Sequence, residues 1–228
     1  MTRQRGFTLI ELLIVVTILA IVASIAIPNL MASRISSNEA ATISTMRTVM
    51  SAQGLFRSQQ VMDDDADGVG EYAYLGELSG AVPLNLRANG NGSPFPMNPS
   101  VLDSLFQFIA ASRVTVSGFF FQVFLPDAGG VGVAENAAGG PTGVESADWS
   151  ENYWVVYAYP VHVGATGNRA FCANERGEIR QTRMDVLRYE TTSVPSWDAA
   201  YQIVNANMSD PFGTGATAID GNYWVTVQ

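Results

Sequence analysis

Two groups of carboxylates stand out as places where this chain could do chemistry. The first is the run Asp63-Asp64-Asp65-Ala66-Asp67-Gly68-Val69-Gly70-Glu71. Asp63, Asp65, Asp67 and Gly68 have the D-x-D-x-D-G spacing that opens a calcium loop, and Glu71 stands at its ninth position. The twelfth position, where a bidentate glutamate closes an EF-hand, is Tyr74, and no second helix of the right kind follows. The run is therefore not an EF-hand. Its calcium-loop positions still gather four carboxylates beside a flexible glycine, which suits a hard, oxygen-seeking cation; a solvated acidic loop is the competing reading. The second is a single group, Glu11, the one charge in the apolar stretch from Phe7 to Ile27.

Other chemistries find little support. His162 is the only histidine and Cys172 the only cysteine. A Ser/His/Asp triad would have to use His162, which sits between two valines and reads as a strand residue. One cysteine makes no intrachain disulfide. There is no G-x-x-x-x-G-K-[ST] phosphate loop. The formal charge of −9 argues against a nucleic-acid surface, which would be basic.

The elements that must position these groups begin with the apolar stretch. It is interrupted only by Glu11 and the small hydroxyls of Thr8, Thr17 and Ser24. Twenty-one helical residues span roughly 30 Å, enough to cross a hydrocarbon core. An ordinary secretory signal would use Arg3 and Arg5 as its basic end and Ser24-Ile25-Ala26 as its cleavage site. The run exceeds a usual signal core, and a carboxylate inside one is out of place. A plain anchor leaves Glu11 unexplained, because a charge within the bilayer costs about 3 kcal/mol or more and is there for a partner. The two arginines precede the run, so the N-terminus is expected in the cytoplasm and the rest of the chain outside it.

Residues 28–60 continue the helix as an amphipathic stem. Ile43, Met46, Val49, Met50, Gln53 and Phe56 form a stripe at three- and four-residue spacing. Pro28 should kink the rod, which unbroken would be roughly 80 Å long. The remaining residues, 61–228, are enough for one core and form a head. Tyr72 to Leu78 predicts a short turn of helix. Residues 80–98 read as loop, and Asn98-Pro99 as the start of a helix to about Ala111 that buries Leu102, Leu105, Phe106 and Ile109. Val114 to Leu125 reads as one strand, its three consecutive phenylalanines, 119–121, pointing to cover on both faces. Residues 126–150, rich in Gly and Ala, read as a surface loop. Asn152 to Val163 is a strand, and Arg169–Cys172 and Glu178–Arg180 flank a hairpin turn. Pro195 to Met208 reads as a helix and Asn222 to Val227 as a last strand, repeating the Asn-Tyr-Trp-Val of residues 152–155. The fold class is α+β: a long N-terminal helix packed on an antiparallel sheet.

Gly6-Phe7-Thr8-Leu9-Ile10-Glu11-Leu12, with the apolar run and Pro28 behind it, resembles the N-terminus of the type IV pilins and the pseudopilins of type II secretion. Gly164 to Arg180, with G-x-x-G-x-R-x-F and G-x-I-R, also resembles the last sheet strands of such proteins. The resemblance implies a leader, residues 1–6, cut off between Gly6 and Phe7, with N-methylation of the new Phe7 amine. Loss of Arg3 and Arg5 takes the formal charge to −11. Residues 7–27 then stay on the mature chain, first as a transmembrane helix and later as filament core. Glu11 and Pro28 are implicated in assembly, Glu11 by pairing with the terminal amine of a neighbour.

The implied partners are copies of the chain or other pilin-like subunits, the prepilin peptidase and methyltransferase, an assembly platform, a motor ATPase and the membrane, with no nucleic acid. The implied location is the cytoplasmic membrane in a single pass, then a filament in the periplasm or at the cell surface. No catalysis and no organic cofactor are expected; calcium at Asp63, Asp65, Asp67 and Glu71 is the one candidate ion. The family supports only the idea of such a site, since pseudopilins that bind calcium do so nearer the C-terminus. The missing disulfide departs from many pilins and leans towards a pseudopilin, whereas the large head suits a pilin or minor subunit. The alternatives from other classes are a membrane-anchored ligand- or calcium-binding module and an anchored hydrolase.

Overall fold

The computed structural model describes residues 7–87, 92–202, 205–213 and 218–227. The leader and Gly6 therefore lie outside the described residues. Helix α1 runs Leu9–Ser58, 50 residues or about 75 Å. Pro28, expected to kink it, lies inside a helix that continues on both sides. The hydroxyls of the apolar half bond back to the helix's own carbonyls, Thr17 to Leu13 at 2.8 Å and Ser24 to Ile21 at 2.7 Å. No hydroxyl in that half is left seeking a partner in lipid.

The two halves of α1 have opposite environments. From Leu9 to Leu30 the large apolar side chains are exposed. Beyond them the expected stripe is buried: Met46, Val49, Gln53 and Phe56 lie against the head, with Ile43 and Met50 partly covered, and Ala52, outside that expectation, is buried too. Glu39 and Thr42 extend that face towards the membrane half.

The head is built on one antiparallel sheet of seven strands among the described residues: β1 Val114–Val116, β2 Phe119–Pro126, β3 Gly132–Ala134, β4 Val155–Pro160, β5 Ala170–Asn174, β6 Ile179–Thr182 and β7 Val225–Thr226. The order is β1-β2-β4-β5-β6-β7, with β3 sharing the β1 edge of β2. Alternation along the strands divides the side chains between two cores. Phe119, Phe121, Val123 and Leu125 of β2, Val156 and Ala158 of β4, and Phe171 and Ala173 of β5 pack towards α1. Phe124, Val155, Tyr157, Tyr159, Ala170 and Cys172 pack the other way, under Met184, Tyr189, Tyr201, Met208, Phe212 and Trp224 of the C-terminal segment. Both faces are covered, which is why these strands read as continuous apolar runs.

Several expectations are corrected. Val114 to Leu125 is a hairpin, not one strand: Ser117 and Gly118 both have positive φ, 51° and 78°, and turn β1 into β2. Such a two-residue turn matches the twist of the strands it joins. The helix from Pro99 to Ala111 shrinks to a 3-10 turn, Ser104–Gln107, capped by Asp103, whose side chain accepts from Leu105 N at 2.8 Å. Leu102 and Phe106 are buried, but Leu105 is exposed. Residues 126–150 are not a loose loop. They carry β3 and helix α3, Ala147–Ser150, and bury Glu135 and Glu145.

Pro195 to Met208 forms turns among its described residues, not a helix; residues 203–204 of that stretch lie outside them. His162 sits in an exposed bend after β4, not in a strand. The short turn of helix expected within Tyr72 to Leu78 is present as α2, the four residues Leu75–Leu78. The hairpin between β5 and β6 also stands where it was expected.

Candidate functional site

Thr8 and Glu11 form a capping box at the start of α1. Glu11 N donates to Thr8 Oγ1 at 3.2 Å, and Thr8 N donates to Glu11 Oε2 at 2.9 Å. The Thr8 hydroxyl also donates to Oε2, at 2.6 Å. Glu11 thus has a task within its own chain, satisfying amides that the first turn leaves open. The T-x-x-E spacing was the readable signal for it. Around this cap the surface is apolar, with Phe7, Leu9 and Ile10 each at least 66% exposed.

The stem is locked to the head by a second set of polar contacts. Glu39 accepts from Asn168 N at 2.8 Å and pairs with Arg169 at 2.5 Å. Asn38 Nδ2 donates to Thr166 O at 3.0 Å. Gly167 lies so close to Phe119 that a Cβ there would stand 2.3 Å from the ring. The G-x-x-G-x-R-x-F stretch is therefore where the sheet grips the stem. Glu39 as Arg169's partner, 130 positions away, could not be read from the sequence.

The acidic loop is ordered largely by its own carboxylates. Asp63 accepts from Asp67 N and Gly68 N, both at 3.1 Å, and Asp67 Oδ1 accepts from Val69 N at 2.8 Å. Gln60 Nε2 donates to Gly68 O and closes the loop onto the end of the stem. Gly68 has φ +92°, which a side chain would resist. Glu71 is fully buried; its Oε1 accepts from Asp64 N at 2.6 Å. Tyr72 N then donates to Ser150 O at 2.8 Å, so the chain leaving the loop is tied to the end of α3. That bond carries Glu151, the residue after Ser150, to the loop.

Three of the four expected carboxylates come together: Asp63, Asp65 and Glu71 each offer an oxygen, all within 4.8 Å of one another. Asp67 does not join that trio but forms another, with Asp65 and Glu151, at the same limit. Burial, reinforced by Asp67, Asp65 and Glu71, pushes the Glu151 carboxyl up to about 7. Burial raises Glu71 as well, and desolvation with the neighbouring Asp67 raises Asp65. Tyr74, at the twelfth loop position, spends its hydroxyl on Val133 O at 2.9 Å and Glu145 at 2.8 Å. Glu151 was missed because nothing in the sequence links it to a loop some eighty residues earlier.

Residues 1–27 match the prokaryotic N-terminal methylation motif, and residues 23–191 match the family described as "Protein of unknown function (DUF2950)". The type IV major pilin protein PilA of Myxococcus xanthus is 39% identical over 122 residues, covering 49% of this chain and 54% of that pilin. The type IV wide pilus major component PilA4 of Thermus thermophilus is 40% identical over 57 residues, 25% of this chain and 44% of that one. The type II secretion system core protein G of Pectobacterium carotovorum is 36% identical over 55 residues, 24% and 35%. The chain thus spans about half or less of the length of these curated relatives. No solved structure matches. The chain belongs to the family described as "Protein of unknown function (DUF2950)", and its N-terminus places it in the type IV pilin and pseudopilin superfamily.

Proposed function

We propose that this chain is a structural subunit of a type IV filament and performs no catalysis. The observation that carries the reading is the division of α1: one half exposed, apolar and long enough to cross a membrane, the other docked on a folded head. A helix bare over its first twenty-odd residues has two stable surroundings, lipid and a bundle of its own kind. The subunit would wait in the cytoplasmic membrane with its N-terminus inside and its head outside. It would enter the filament when such helices bundle. Cleavage between Gly6 and Phe7 and methylation of Phe7 would require a peptidase and methyltransferase, and extraction from lipid a platform and a motor ATPase. The longer alignment with the Myxococcus pilin supports the pilus form over the pseudopilus.

In the filament, Glu11 of one subunit would pair with the Phe7 amine of a neighbour, two charges that stabilise each other where the dielectric is low. The capping box makes this testable, because glutamine keeps the cap and loses the charge. Glu11→Gln and Glu11→Leu should both stay in the membrane and fail to enter sheared filaments seen by electron microscopy. Thr8→Val, which weakens the cap and keeps the charge, should still assemble. Filaments of normal yield from Glu11→Gln would refute the ion pair. Mass spectrometry of the mature N-terminus should find methylated Phe7; an intact Met1, or a cut after Ala26, would refute the filament reading itself.

A further inference from the structure

We propose that Asp63, Asp65, Asp67 and Glu71, together with Glu151 at the end of α3, form a single calcium site between the acidic loop and the sheet layer. The inference stands apart from the filament reading, since it concerns the head alone. Two oxygens on one calcium ion, each at 2.3–2.6 Å, lie at most about 5 Å apart. Both trios meet that limit, at 4.8 Å, and Asp65 belongs to both. Five carboxylates from two separate elements thus form two overlapping trios joined at Asp65.

The second observation is independent of the clustering. Glu71 is completely buried, and its Oε2 has no hydrogen-bond partner. Glu151 is 8% exposed, and its Oε1 has none either. Among the described residues, no arginine forms an ion pair with any of the five. Buried carboxylate oxygens without a donor are rare in folded proteins and call for an explanation such as a bound ion. Here both belong to residues that already contribute to the trios.

The chemistry of the set selects the ion. All the ligands are carboxylates, and the only histidine and cysteine, His162 and Cys172, lie elsewhere, so a soft or borderline metal has nothing to hold it. Magnesium demands a small octahedron and keeps several waters, whereas many carboxylates on an irregular loop suit calcium. The loop supplies the first, third and fifth positions of a calcium loop with glycine at the sixth, and Glu151 does from α3 what the twelfth residue does in an EF-hand. The ion would pin the segment leaving the stem to the segment preceding β4.

The test uses the full chain in detergent, titrated with calcium chloride by calorimetry and melted with calcium, magnesium or EDTA. Calcium at a hundredfold excess over its Kd should raise Tm by about 5 °C or more, and magnesium at the same concentration by much less. Glu151→Gln should raise Tm in EDTA, by relieving repulsion, and weaken calcium binding at least tenfold. Glu71→Gln should do the same if it folds; Asp185→Asn, an exposed control, should leave affinity unchanged. No heat and no shift at millimolar calcium would overturn the proposal. So would an equal shift with magnesium, or a calcium increment in Glu151→Gln as large as in the parent.

Discussion

One face of the sheet is closed by a fifty-residue helix, the other by a C-terminal segment with almost no regular structure. The helix satisfies its own backbone, so it needs only a stripe of side chains to form a core. Besides Asn38 and Glu39, Gln53 adds a polar contact, bonding both backbone groups of Ala73, at 2.7 and 2.9 Å. The C-terminal segment must find partners for its amides and carbonyls elsewhere, and it recruits side chains. Tyr157 Oη donates to Trp197 O at 2.9 Å and accepts from Ala200 N at 3.0 Å. Asp220 gathers the Tyr189 hydroxyl at 2.5 Å, Asn222 N at 2.8 Å and Trp224 Nε1 at 3.2 Å. The two layers are therefore held by different physics, chiefly periodicity on one side and a polar network on the other.

The repeated Asn-Tyr-Trp-Val offers the sharpest contrast, because Trp154 lies in the helix-side core and Trp224 in the other. Each Trp→Ala substitution should cost about 3–5 kcal/mol in urea unfolding. Trp224→Phe should cost more than Trp154→Phe, because the Trp224 indole N–H donates to a carboxylate, Asp220; equal losses would erase the distinction.

A smaller effect is expected at Glu135, beneath α2. It is buried, its Oε1 lacks a partner, and burial pushes its carboxyl up to about 8. The folded state therefore holds a proton that the unfolded chain gives up near pH 4.5, so this group lowers stability as pH rises from about 4.5 to 8. Glu135→Gln should be more stable than the parent by about 2–4 kcal/mol at pH 8 and nearly equal to it at pH 4.5, measured by melting across that range.

Asp220→Ala, which strips the hub of the irregular face, should cost about 1–3 kcal/mol. It should also expose the C-terminal segment to proteolysis while the helix-side core persists. Smallest of all is Leu105→Ser, expected within about 0.5 kcal/mol in the same denaturation assay, because that side chain points away from either core. A loss of 2 kcal/mol or more there would restore the buried helical stripe that the structure replaces.

The same division decides what was legible from the residues. The helix announced itself through spacing, from the apolar run to Met46, Val49, Gln53 and Phe56, and the structure buries those four. The β5–β6 hairpin followed from local turn residues. The Pro99 helix failed because Asp103 was the better cap, leaving room for only a short turn. Pro195 to Met208 failed because its burial comes from contacts with β4 and β5, and these leave no periodic trace. The loop at 63–71 was legible as a cluster of acids, while Glu151 was not, since only the folded Tyr72–Ser150 bond brings it near.

The Thr8–Glu11 cap changes what joining two molecules would require. A carboxylate that already holds donors of its own chain is not a bare charge stranded in oil, so the solitary molecule is tolerable as it stands. Under the proposed pairing, docking a neighbour's amine on it would be a trade of one set of contacts for another rather than the rescue of a misfit. The gain on docking would then be the difference between the two sets, smaller than the full attraction between two bare charges.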